Sequence, residues 1–111
     1  MTKENVEAAA RAALEDVLDP ETGISIAHLG LVYAVRYDVE TRFLCVVMTF
    51  TTPACPAGEM ILEGVQRRLG RVDGVAFVDV DLVFEPRWTP ARITAEGRAE
   101  LGWPPSPAAS P

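Results

Sequence analysis

The hydrophobic positions of this chain change period along its length, and each change marks an element. From about Thr2 to Leu18, apolar Val6, Ala9, Ala10, Ala13, Leu14, Val17 and Leu18 recur at helical spacing, with Glu4, Glu7, Arg11 and Glu15 mostly between them. This predicts an amphipathic helix with Thr2 as a candidate N-cap, stopped at Asp19-Pro20 because a residue before proline avoids helical dihedrals. Asp19 to Gly23 is turn chemistry, and Asp19 and Glu21 read as solvated loop charges in preference to part of a site. Ile24 to Ile26 suits a short extended piece, and Gly30 permits a tight bend into the next strand.

Leu31 to Asp38 alternates in the strand manner, Val39 to Thr41 is short enough for a hairpin loop, and Phe43 to Phe50 returns. This second strand is apolar on both faces and is expected at the centre of the sheet, with Cys45 as a small buried hydrophobe. Met60, Ile61, Val65 and Leu69 then follow helical spacing up to a stop at Gly70. A third strand is expected over Val75 to Phe84, with Ala76, Val78, Val80 and Leu82 on one face and Asp79 and Asp81 facing out. A strand–helix–strand connection of this length implies a right-handed parallel crossover.

After the proline-rich segment 85–90, Thr94 is placed to cap a last short helix ending near Leu101-Gly102, weakened by Gly97. Trp88 and Trp103 read as packing this ending onto the body, with a partner surface as the alternative. The fold class is therefore α+β, a two-layer domain of order α-β-β-α-β with a small mixed three-stranded sheet and a short C-terminal helix. Residues 1–103 form the expected single domain, and 104–111, rich in Pro, Ser and Ala, read as a disordered tail.

Composition narrows the function more than the fold. At 111 residues, 23% charged and 49% hydrophobic, the chain fits one ordinary soluble domain. A formal net charge of −6 argues against a general nucleic-acid binder. The start of the chain is polar and no apolar run approaches the ~20 residues that span a bilayer, so neither a membrane nor a secretory route is expected. A cytoplasmic, reducing setting follows, with both cysteines free. Two cysteines and one histidine cannot build a closed zinc site, and no phosphate-binding glycine loop or HExxH is present.

The remaining candidate chemistry lies in one stretch, Met48 to Met60, which joins the central strand to the second helix. Pro53 and Pro56 bias Thr52 and Cys55 towards extended dihedrals. Pro56 suits the first position of a helix and would make Cys55 its N-cap, close to unpaired N–H groups that favour a thiolate. Cys55 is then a nucleophile or a metal ligand, or else an inert loop cysteine, and the residues alone leave these balanced. Glu59, four positions on, can face the same side of the helix start, although complementarity to the helix dipole explains it as well.

Several separated segments also stand in the order and spacing of one family: Asp19 to Glu21, Leu29 to Tyr33, Met48 to Pro56, Val75 to Val80, Pro86 to Trp88 and Glu100 to Trp103. On these residues the chain resembles the metal–sulfur cluster biosynthetic proteins of the SufT and PaaD-like family, over about residues 3–103. The resemblance implies an α+β domain that assists maturation of iron–sulfur proteins as a carrier or adaptor, rather than an enzyme. The family's reactive cysteine maps onto Cys55, supported by the loop residues Thr51, Thr52, Pro53 and Pro56, with Glu59 carried over at less weight. Where relatives commonly have Asp before Leu-Gly, this chain has His28, which reads as a neutral surface change in preference to an additional ligand. The cysteine-rich C-terminal extension of the fuller PaaD-type proteins is missing, which weighs against an oxygenase-accessory role.

A cluster usually takes four thiolates, so no tightly bound cofactor is expected and iron or an iron–sulfur cluster would be held transiently. The implied partners are the iron–sulfur assembly machinery and client apo-proteins, with a homodimer as one way to share a cluster. A cysteine-independent interaction module using Trp88 and Trp103 is the alternative. A thiol enzyme ranks last, because no CxxC and no evident base except His28 accompany Cys55.

Overall fold

The computed structural model of the protein describes residues 2–53 and 56–103. Helix α1 runs Lys3–Leu14, with the Thr2 hydroxyl accepting from the Asn5 N–H at 3.1 Å. Val6, Ala10 and Leu14, spaced one turn apart, are its buried stripe. The helix ends four residues before the expected Leu18, because the backbone there pairs elsewhere. The Ile26 N–H donates to Val17 O at 2.9 Å, the Asp19 N–H to Ile24 O at 2.9 Å, and Leu18 bridges Ser25. Val17 remains in the core but reaches it from this small antiparallel turn instead of a helix.

Strands β1 (Val32–Asp38), β2 (Phe43–Met48) and β3 (Phe77–Leu82) form one sheet in the order β1-β2-β3. β1 pairs antiparallel to β2, and β2 pairs parallel to β3 across helix α2 (Gly58–Leu69). The mixed three-stranded sheet and the central β2 agree with the alternation in the sequence, although every strand is shorter than its apolar run. Helix α3 (Ala95–Leu101) follows a short 3-10 turn at Pro90–Arg92, and the Thr94 hydroxyl accepts from the Gly97 N–H at 3.1 Å.

Both long helices lie on one face of the sheet. Leu44, Val46 and Met48 of β2, with Val35 and Tyr37 of β1, bury against Leu14, Ile61, Val65 and Leu69. Among the described residues the opposite face is open: Phe43 is exposed, and Cys45 and Val47 are half-exposed. One expectation is thereby corrected. β2 is apolar on both faces but covered on one, and Cys45 is not a core residue, since its position puts it on the uncovered side. Its Sγ lies 3.9 Å from Asp79 Oδ2.

The start of α2 also differs from its expectation. The N-cap is Ala57, with no side-chain cap, and Pro56 sits in the preceding turn. Packing sets this boundary. Ala57 and Gly58 are buried, and a Cβ on Gly58 would stand 2.6 Å from Phe50 Cε2, so the first helical residue presses directly on the Phe50 ring. Cys55 is therefore not the capping residue. Cys55 itself, like Ala54 and the tail 104–111, lies outside the described residues.

Candidate functional site

The segment after β2 is anchored at both stems. The Thr49 N–H donates to Leu31 O at 2.9 Å, extending the ladder one step past β2. Phe50 is buried and meets Phe84 edge-on, with ring centroids 6.4 Å apart. Ala57 closes the other side in the core. Between these buried stems Thr51 is half-buried, while Thr52, Pro53 and Pro56 are exposed.

Two cavities meet along Thr51. A small one of about 80 Å³ runs beside Thr52, Pro53, Phe84 and Arg87. A larger one of about 260 Å³ is lined by Asp19, Glu21, Leu29, Leu101 and Trp103, and Trp88 borders both. Arg87 is the one cation lining either of the two among the described residues.

The walls are fixed by hydrogen bonds between distant segments. The Trp88 indole N–H donates to Leu29 O at 2.7 Å, and the Tyr33 hydroxyl donates to Pro86 O at 2.7 Å. The Arg92 guanidinium stacks 4.4 Å from the Tyr33 ring centroid, a cation–π contact. Gly30, at φ 76°, lets the backbone of Arg92 approach: a Cβ there would stand 2.2 Å from Arg92 O. Residues 28–33 thus hold residues 86–94 against the end of the central strand.

Asp19 departs from its expected role as a solvated charge. It is 6% exposed, and its Oδ1 accepts from the Glu21 N–H at 2.9 Å, which locks the turn. Glu21 is exposed at the rim of the larger cavity. Trp88 packs on the core, whereas Trp103 is 43% exposed, with the Arg98 guanidinium 5.5 Å from its ring. Trp88 thus takes the packing role expected of the pair, while Trp103 leaves its ring largely at the surface.

His28 faces neither cavity. Its Nε2 lies 3.7 Å from Glu15 Oε1 and its Nδ1 3.5 Å from Glu100 Oε1, between α1 and α3. Glu59 is exposed in the first turn of α2, where its charge complements the helix dipole. Among the described residues no group of three or more His, Cys, Asp or Glu side chains is arranged to hold a metal ion, and no helix is long and apolar enough to cross a membrane.

The profile of a family described as iron–sulfur cluster assembly protein matches residues 7–81. The chain belongs to that family. A Porphyromonas gingivalis relative, named an Fe-S protein maturation auxiliary factor, is 40% identical over 90 residues, covering 81% of this chain and 85% of its own. The Fe-S protein maturation auxiliary factor YitW of Bacillus subtilis is 36% identical over 100 residues, covering 90% and 93%. Among solved structures, a domain of unknown function (DUF59) from Bacillus anthracis superposes with a TM-score of 0.85 at 36% identity, covering 90% of this chain and 94% of that one.

Within this iron–sulfur assembly fold, segments far apart in the sequence converge. Asp19 and Glu21, Leu29, Thr51, Trp88, and Leu101 and Trp103 all line the larger cavity. Asp19, Glu21, Arg87 and Leu101 were not singled out from the sequence as site residues, yet each lies in a segment that carries the family resemblance. That membership was the signal available for them.

Proposed function

We propose that this protein assists the maturation of iron–sulfur proteins as a carrier or adaptor, with the Cys55 loop and the neighbouring Trp88–Trp103 groove acting together. The observation that carries this reading is the groove itself. Thr51, four residues before Cys55, shares one cavity with Asp19, Glu21, Trp88 and Trp103. A protein surface with an apolar floor, an acidic rim and an adjacent thiol loop suits a partner that must be held while cargo passes.

Residue chemistry constrains the transfer. The chain has two cysteines, and the second, Cys45, is on the open sheet face. A cluster that wants four thiolates therefore needs ligands from another molecule. In this reading Cys55 contributes one ligand during the encounter, and the groove supplies the affinity. Arg87, beside Thr52 and Pro53, offers a positive charge that favours anionic cargo.

The adaptor reading without the thiol is favoured by one observation, the exposed ring of Trp103, since aromatic side chains at a rim commonly anchor partners. One experiment separates the two. In cells lacking this protein, iron–sulfur enzyme activity normalised to enzyme abundance is measured after complementation with wild type or Cys55→Ala. Rescue by wild type alone supports the thiol-dependent carrier. Equal rescue by both leaves a cysteine-independent adaptor, and loss that neither version restores removes the maturation reading.

A further inference from the structure

The two edges of the sheet are finished differently. On the β1 edge the Tyr37 N–H donates to Glu7 Oε2 of α1 at 2.9 Å, and the register shifts between Val32 and Ala34. A capped donor and an irregular backbone both obstruct an added strand. β3 is the other edge, and it pairs with β2 in unbroken register from Phe77 to Leu82. At the two ends of that ladder the Phe77 N–H donates to Arg42 O and the Val83 N–H to Met48 O. In a parallel pair every second residue bonds the same neighbour, so positions 77, 79, 81 and 83 face β2. The main-chain groups of Val78, Val80 and Leu82 therefore point outward. Among the described residues nothing beyond the sheet hydrogen-bonds to them.

The side chains state what this edge accepts. Val78, Val80 and Leu82 are half-buried and pack on the core, beside Leu44, Val46 and Met48 of β2, which are fully buried. A further strand would cover their outer flank. On the other face Asp79 and Asp81 are exposed, and neither is in an ion pair among the described residues. Arg36, in the same row as Asp79, is held off by Cys45 between them. A strand beside β3 thus fits best with apolar residues next to the valines and cations next to the aspartates.

The same pattern excludes two other occupants. A second copy adding its own β3 antiparallel sets Asp79 and Asp81 against that copy's carboxylates on one face, and like charges opposed there are destabilising. Head-to-tail pairing of copies would need the obstructed β1 edge. The tail 104–111 has four prolines, which lack ladder donors, and no Lys or Arg. The two aspartates therefore guard the edge against self-association while leaving it open to a cationic strand.

We propose that the outer edge of β3 binds an extended segment of another protein, in which Lys or Arg alternates with apolar residues, as a fourth strand. Main-chain bonds to Val78, Val80 and Leu82 supply the affinity, and Asp79 and Asp81 select the partner. The edge uses neither Cys55 nor the groove at Trp88 and Trp103, so the proposal does not rest on the maturation reading.

The test is fluorescence anisotropy of a labelled short peptide alternating Lys and Val, titrated with the full chain under reducing conditions. Saturable binding is expected, and it should be lost when Glu replaces Lys. Two control peptides keep the charge: one has its peptide nitrogens methylated, and one has its Lys residues grouped at one end. Each should bind about tenfold more weakly or worse, since ladder donors or the alternation are gone. In the complex, amide hydrogen exchange at Val78, Val80 and Leu82 should slow by about tenfold or more. The double variant Asp79→Lys, Asp81→Lys, checked for folding by circular dichroism, should prefer the Glu–Val peptide. Absence of saturable binding would overturn the proposal, as would binding that methylation leaves unchanged. So would protection of the same three amides that grows with concentration of the chain alone, which would assign the edge to a second copy.

Discussion

The Trp88 indole N–H donates to the backbone carbonyl of Leu29 across 2.7 Å, linking residues 59 apart in the sequence. That bond, with Tyr33 to Pro86, fixes the wall shared by the two cavities. Trp88→Phe keeps an aromatic ring but removes the donor, leaving the Leu29 carbonyl without that bond. The expected loss is about 1 kcal/mol, read as a lower urea midpoint with an unchanged slope. An unchanged midpoint would mean that water replaces the indole without cost.

Gly97 gives a test in which local propensity and packing disagree. Alanine is the better helix former by about 1 kcal/mol. A Cβ at position 97, however, would stand 2.8 Å from His28 O and 2.9 Å from Ile93 Cγ2. Steric displacement of packed neighbours costs about 1–3 kcal/mol, so Gly97→Ala is expected to destabilise by a net ~1 kcal/mol or more. Equal or higher stability in urea would show that α3 can move away from His28 freely.

The same residue shows what the sequence reveals and what it hides. Gly97 reads as a weakness in a short helix, because the approach of residue 28 from across the fold is not written locally. The Thr94 cap, the bend at Gly30 and the order of strands are legible, since caps, positive-φ glycines and alternation are local signals. Which face of β2 is covered is not local. Phe43, Cys45 and Val47 are as apolar as a core stripe, and only the placement of both helices on the other side exposes them. The cavity at Thr51 has the same character. Its residues come from five separated segments, and the burial of Asp19 follows from a turn that no periodicity describes.

Asp19→Ala removes the acceptor for the Glu21 N–H and should cost about 1–2 kcal/mol. Asp19→Asn keeps an acceptor of the same shape and should cost less than half as much in the same urea titration. Client-enzyme rescue then separates structure from charge. If the carboxylate takes part in holding a partner, Asn fails to rescue despite its near-normal stability.

Burial, then the Asp79 and Asp81 carboxylates, push the Cys45 thiol above its ordinary value, while Arg36 pulls the other way. In Cys55→Ala protein kept dilute, Cys45 should alkylate more slowly than a free cysteine at mildly alkaline pH, and Asp79→Asn should shift its pH–rate profile downward. The linkage sign follows from the raised folded value. The contribution to stability is intact below the unfolded thiol's pKa and is lost as pH rises through the folded one. An alkylation profile matching free cysteine would show that Asp79 and burial exert no net effect.

Trp103 separates partner binding from folding most cleanly. Its ring is 43% exposed at the cavity rim and rests on the Arg98 guanidinium, 5.5 Å away, instead of filling the core. Such a contact at the surface is worth about 0.5–1 kcal/mol, so Trp103→Ala should lower stability by no more than that. If the groove supplies affinity for the assembly machinery or its clients, the same change should lower rescue of iron–sulfur enzyme activity severalfold at equal protein abundance. Combined with Cys55→Ala, the loss should be no greater than the larger single loss if loop and groove act in one encounter. Independent, multiplying losses would mean that they serve separate steps.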